Sequence, residues 1–299
     1  MRFLPSALLA GLLLAAPAAQ AQQKPAAASV PAPAHSLLWE VSGHGLTQPS
    51  YVFGTIHLQC APDVKLSEAT QRALAATRQV TLELDMDDPA LPQQMQARMQ
   101  LPAGQQLQSC LTPAEYATVS TYFTNELHVP AAQLTQLGTM KPLLLMPLLM
   151  QKQLGCPVSA YELALVSWAK ANHREVTGLE TVDEQFGVLE KIPCATQAHL
   201  LADMAAHPDQ SAQELRQLLA TYQQQDPEAL YRLTLSSKFG MQEYEASLLT
   251  DRNTRWAPLM ARQAATTPTF FAVGAAHLGG PKGVLAQLRQ QGYQVKPVQ

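Results

Sequence analysis

Two histidines in this 299-residue chain stand in the same local setting. "SYVFGTIHL" starts at Ser50, an aromatic-rich run that ends in Gly54, two further residues and His57. "FFAVGAAHLGG" starts at Phe270 and ends in Gly274, two alanines and His277. One Gly-x-x-His is noise, and a lone histidine after a strand is ordinarily a hydrogen-bonded loop residue. Repetition of the pattern 220 positions apart implies two imidazoles brought together by the fold. Carboxylates close two other strand-like runs: Glu83 and Asp85 in "VTLELD", and Glu180 in "REVTGLE". Imidazole and carboxylate together suit zinc, manganese, cobalt or iron without any thiolate. A cation so held lowers the pKa of a bound water and polarises a carbonyl, and a spare carboxylate can act as base. The expected ligands are His57, His277 and one of these carboxylates, with Glu83 or Glu180 as base.

Arg252 extends the set. In "DRNTRW" it lies four residues before Trp256, so the two share a helix face. Its guanidinium could stabilise an oxyanion or hold a substrate carboxylate, or simply pair with an Asp or Glu; both readings stay open. Gly54 and Gly274, without a Cβ, would allow a backbone turn or close approach of a substrate. Other groups have plainer readings. Asp85 can begin a polar turn with Asp87 and Asp88. Glu162 completes a capping box with Ser159 in "SAYE". Thr181 and Glu184 in "TVDE" form another, which leaves Glu180 just outside the helix and free to face the site. His35, His44, His128, His173, His199 and His207 fall in tether, turn or helix-surface contexts. There is no Gly-x-Ser-x-Gly, His-Glu-x-x-His or phosphate loop, which excludes a serine-hydrolase elbow, a helix-borne zinc site and a nucleotide kinase.

These residues need elements to hold them. "SLLWEVS" and "PSYVFGTIH" flank the turn-rich "GHGLTQ" and predict a hairpin. "LSEATQRALAATR" has helical spacing, and "QVTLELDMDD" follows as a strand whose Glu83 and Asp85 would share one face. Helical patterns dominate from 89 to about 260, interrupted by the short strand "REVTGLE". The chain closes with strand "TPTFFAVGA", a helix and strand "YQVKPV". The expected fold is α/β, a mixed sheet built from both chain ends with a large helical insertion at about 89–260. In such sheets the functional rim lies at the carboxyl ends of the strands.

Residues 1–21 read as a signal peptide: Arg2, an apolar core, and an Ala-Gln-Ala cleavage site. Residues 22–35 form a Pro/Ala-rich tether expected to be disordered, and 36–299 the folded domain. The chain carries 20 Lys and Arg against 23 Asp and Glu, and loss of the signal removes Arg2 alone. That balance gives no nucleic-acid footprint. "KPLLLMPLLM" is short of the ~20 residues a membrane span needs and holds two prolines, so no transmembrane segment is expected after signal cleavage. The expected location is the periplasm. Four cysteines in an exported chain should pair. Proximity in sequence favours Cys60 with Cys110 and Cys156 with Cys194.

The ordered set "LLWEV", "SYVFGTIHL", "VTLELD", "SAYELA", "REVTGLET" with Gln185, "RNTRWAP" and "FFAVGAAHLGGPKGVLAQLRQQGYQV" resembles the TraB/GumN family, relatives of the TIKI-type metalloproteases. The likeness runs from about Leu37 to Val298. It implies a hydrolase-like fold with both Gly-x-x-His motifs and an acidic residue at the active centre. By position, His57 and His277 match the two motif histidines, Glu83 the glutamate of the first half, and Arg252 and Asn253 the family's Arg-Asn pair in a supporting role. The implied activity is proteolysis aided by manganese or cobalt. The reading is therefore an exported metal-dependent hydrolase (Mn, Co or Zn), a peptidase whose peptide or other small substrate is unidentified. The alternatives are a non-catalytic periplasmic metal or haem binding protein, and ester hydrolysis like that of the erythromycin esterases.

Overall fold

The computed structural model describes residues 35–236 and 242–299. The expected signal peptide, and the tether up to residue 34, lie outside the described residues. The strands are β1 (Leu38–Ser42), β2 (Ser50–Thr55), β3 (Gln59–Cys60), β4 (Gln79–Leu82), β5 (Val158–Ser159), β6 (Glu175–Gly178), β7 (Thr269–Gly274) and β8 (Gln294–Pro297). The first six α-helices are α1 (Glu68–Ala76), α2 (Leu91–Met99), α3 (Pro113–Asn125), α4 (Ala131–Leu137), α5 (Met146–Leu154) and α6 (Tyr161–Ala171). The rest are α7 (Val182–Leu189), α8 (Cys194–Ala206), α9 (Pro208–Gln223), α10 (Pro227–Thr234), α11 (Asp251–Thr266) and α12 (Val284–Gln290).

Six strands form one mixed sheet in the order β6-β4-β7-β2-β1-β8. The first four are mutually parallel, while β1 pairs antiparallel with both β2 and β8. The sheet is thus drawn from both chain ends, as the sequence implied, with β6 contributed from the helical insertion. Parallel strands buried on both faces must be apolar on both faces, and every residue of β7 is buried. Its side chains alternate: Phe270 and Ala272 join Val80, Leu82, Leu74 of α1 and Leu165 of α6. Phe271 and Val273 join Val52, Trp256 and Met260 of α11 and Leu285 of α12 on the other side. Each such aromatic side chain contributes roughly 1.5–3 kcal/mol by its burial. The insertion has its own core, in which Phe123 of α3, Leu149 of α5 and Leu201 of α8 meet.

This topology puts β7 between β4 and β2, so segments distant in sequence end side by side on one rim. The strand expected to run through Asp85 stops at Leu82. The Glu83 carbonyl still accepts from the amides of Leu179 and Glu180, but beyond it the chain turns, and the Asp88 amide bonds to the Asp85 carbonyl. Asp85 therefore does not continue the strand face that Glu83 begins.

The disulfide pairing differs from the one that sequence proximity favours. Cys60 bonds Cys156, and Cys110 bonds Cys194. The reason is strand pairing: β3 and β5 form a separate two-stranded sheet in which Cys60 lies opposite Val158, beside Cys156. Cys110 closes a 3₁₀ turn that packs on the start of α8, where Cys194 sits.

Candidate functional site

Across the rim, β6 leads to Glu180, β4 to Glu83, β7 to His277 and β2 to His57. His57, Glu83, Glu180, Arg252 and His277 meet here, whereas Asp85 lies in the turn after β4. Glu83 is central. Its Oε1 accepts the Gly274 amide at 2.8 Å, and its Oε2 accepts from Arg252 Nη2 at 2.6 Å and from Gln185 Nε2 at 3.3 Å. The Nε2 atoms of His57 and His277 both lie 4.0 Å from Glu83 Oε1. A Cβ on Gly274 would sit 3.1 Å from His57 Nε2 and 3.4 Å from Glu83 Oε1, so the glycine keeps the centre of the cluster clear. Gly54 has a different use: a Cβ there would meet Leu278 and the Ala275 backbone at 2.8–3.0 Å, so it lets the turn after β7 close over β2.

The two imidazoles are held alike but sit differently. His277 is buried, and its Nδ1–H donates to Asn253 Oδ1 at 2.6 Å, while the Asn253 amide donates to the Lys282 carbonyl. That fixes the tautomer: Nε2 carries the lone pair, and Arg252 Nη1 donates to it at 3.0 Å. Burial, then the neighbouring guanidinium, push the His277 pKa down to about 3. His57 has a side chain 62% exposed, and its Nδ1 donates to Glu162 Oε1 at 2.9 Å. Burial opposes its ionisation, but the Glu162 hydrogen bond and the charges of Glu83 and Glu162 prevail, raising it to about 9. Water at its open edge screens these charges in part, while the Glu162 bond keeps the direction upward.

Glu162 is the residue the sequence reading assigned elsewhere. It makes no capping box with Ser159: Ser159 belongs to β5, and the N-cap of α6 is Ala160, which gives no side-chain cap. Its Oε1 takes His57 and the Thr55 hydroxyl, the latter at 2.5 Å. The signal was in the helix periodicity, since Glu162, Leu165 and Ala169 are spaced i, i+3, i+7 on the buried face of α6. The "TVDE" capping box of Thr181 and Glu184 forms as expected.

Arg252 makes the ion pair of its plainer reading, with Glu83 and Glu180. A widened π turn at Ala246–Thr250 precedes α11, and the guanidinium reaches back to the Leu248 carbonyl. It also stacks over Trp256 at 4.4 Å and forks onto Glu180, through Nε at 3.2 Å and Nη2 at 2.6 Å. Burial lowers the Arg252 pKa, but two carboxylates outweigh it and the net shift is upward. Glu180 moves up as well, because its side chain is only 1% exposed and desolvation exceeds the pull of the guanidinium. The fork of two short contacts is that of an ion pair. Burial also works to raise Glu83, yet Arg252, both imidazoles and the Gly274 amide hold it far below the ordinary carboxylate range.

The donor chemistry fits a divalent cation. Both imidazoles have Nδ1 tied to a carboxylate or amide oxygen, the arrangement that metal-bound histidines use to present Nε2, and both Nε2 atoms look onto one carboxylate oxygen. Two things compete with a cation for these donors: the Arg252 hydrogen bond to His277 Nε2, and the proton that the neighbouring carboxylates favour on His57 Nε2. Among the described residues no three His, Cys, Asp or Glu side chains already stand at coordinating distance of one point; the guanidinium supplies the central positive charge in this arrangement.

A mixed sheet covered on both faces, with a rim at its parallel strands that gathers imidazoles, carboxylates and a guanidinium, defines an α/β protein with its polar site at the strand ends. The chain belongs to the TraB/PrgY/gumN family, whose model matches residues 37–297. No curated protein and no solved structure matches it.

Proposed function

We propose that the protein is an exported metal-dependent hydrolase acting on peptide bonds. One observation carries this reading: the two Gly-x-x-His imidazoles, far apart in sequence, end adjacent parallel strands with both Nε2 atoms 4.0 Å from the same Glu83 oxygen. His57, His277 and Glu83 would hold manganese, cobalt or zinc, which when bound would acidify a water and polarise the scissile carbonyl. Glu83, the carboxylate facing both imidazoles and held ionised far below the ordinary range, would serve as ligand rather than as base. Arg252 stabilises the oxyanion, and the enclosed Glu180 keeps that guanidinium in position. The exposed edge of His57 marks the side from which substrate enters. Export is supported by the two disulfides.

The test starts from protein stripped of metal and titrated with manganese, cobalt and zinc by calorimetry, with His57→Ala plus His277→Ala as control. One equivalent bound by the wild type and none by the double variant is expected, followed by cleavage in a peptide-library screen that the double variant lacks. Metal uptake without turnover on peptide or ester libraries would favour a carrier instead. No uptake at all would overturn the metal centre.

A further inference from the structure

We propose that the Cys60–Cys156 disulfide is a positioning element of the site, clamping the His57 segment to the Glu162 segment so that His57 Nε2 is preset; this rests on the metal-centre reading above. His57 lies three residues before Cys60, and Glu162 six after Cys156. Between those points the two segments touch through two residue pairs, Gln59 with Ser159 and Cys60 with Val158, and one further bond from the Ala61 amide to the Pro157 carbonyl at 2.7 Å. This ribbon lies outside the six-stranded sheet, and a two-stranded ribbon of this length is marginal by itself. The disulfide bridges the same ribbon.

Its two sides are unequally anchored. Glu162 opens α6, which is fixed to the sheet core by Leu165 and Ala169. The His57 segment projects beyond β2 with an exposed ring, and the only hydrogen bond of that ring among the described residues is the one to Glu162. The clamp therefore acts on the metal-binding nitrogen through Glu162. The second disulfide offers an internal control, because Cys110–Cys194 joins a 3₁₀ turn to α8 at the core of the helical insertion, a cluster that among the described residues holds none of the site residues.

The experiment compares two double variants of the mature chain, Cys60→Ser with Cys156→Ser and Cys110→Ser with Cys194→Ser. Metal-free protein is titrated with manganese and cobalt, the visible spectrum of the cobalt form is recorded, and amide exchange is followed across residues 55–62 and 156–162. The first pair is expected to bind about 10-fold more weakly or worse, the scale of losing an outer-shell partner, with an altered cobalt spectrum and faster exchange in the ribbon. The second pair is expected to lose stability while keeping affinity, spectrum and ribbon exchange. Glu162→Ala should weaken binding in the wild type and add little in the Cys60→Ser, Cys156→Ser background. If the serine pair does not fold, Cys60→Ala with Cys156→Val retains the apolar volume. Unchanged affinity in the first pair, equal weakening in both pairs, or an undiminished Glu162→Ala effect without the bridge would overturn the proposal. A wild type that binds neither metal overturns the metal centre instead, and ribbon exchange then decides the clamp alone: unchanged exchange in the first pair refutes it.

Discussion

Arg252→Met removes a guanidinium that is only 8% exposed while leaving an apolar chain of similar length over Trp256. The loss is electrostatic. Glu83 and Glu180, with side chains 10% and 1% exposed, would lose three contacts of 2.6–3.2 Å and keep buried negative charge. Glu180 retains Arg255 at 3.4 Å, a half-exposed partner that cannot replace the fork. Breaking a buried pair by removing one partner costs about 3–5 kcal/mol, and that is the expected loss near pH 7.5. The pH dependence has a definite sign. In the wild type Glu83 is depressed, so its stabilisation is present above the unfolded carboxylate pKa and is lost as pH falls. In the variant the orphaned carboxyls titrate above their unfolded values, so stability falls as pH rises, and the deficit shrinks towards pH 5. Urea denaturation of metal-free protein at both pH values, with and without Glu83→Gln and Glu180→Gln, measures this. A loss below about 1 kcal/mol at pH 7.5, or the same loss after both glutamates are neutralised, would refute buried charge as the cause.

The same Arg252→Met variant frees His277 Nε2 and is expected to bind manganese more tightly by calorimetry; weaker binding would mean that Arg252 organises the donors rather than competing for them. Gly274→Ala places a methyl 3.1 Å from His57 Nε2, and should weaken metal binding and cost about 1–3 kcal/mol of stability, read from paired calorimetry and melting curves. Burial and then Asp87 raise Asp85 to about 6, so its contribution is present below about pH 4 and is lost as pH rises through 6. Asp85→Asn should therefore gain about 1–2 kcal/mol over the wild type at pH 7 relative to pH 4, after allowance for partial exposure. Removing Cys110–Cys194, which closes a separation of 84 residues, should cost about 2–5 kcal/mol in oxidised denaturation experiments.

What the sequence determined by itself was local. Alternating and continuous apolar runs fix strands and helices through the period of side-chain placement, and the repetition of Gly-x-x-His after two apolar runs singles out His57 and His277. His57, Glu83, Glu180, Arg252 and His277 could be named on that basis, and the hairpin of β1 with β2 follows from the turn between them. Which strands become neighbours is settled only by packing. The insertion of β7 between β4 and β2 brings His277 beside Glu83 and His57, residues about 190 and 220 positions away that no local pattern at His277 names. Glu162 read as a helix cap because its partners, Thr55 and His57, lie more than a hundred positions away. The disulfides make the same point with a magnitude. Closing the longer Cys60–Cys156 loop rather than Cys60–Cys110 costs only about 0.6 kcal/mol, since closure entropy grows with the logarithm of length. So small a preference for the nearer cysteine yields to any strand pairing that sets a different one alongside, and only the tertiary structure decides which.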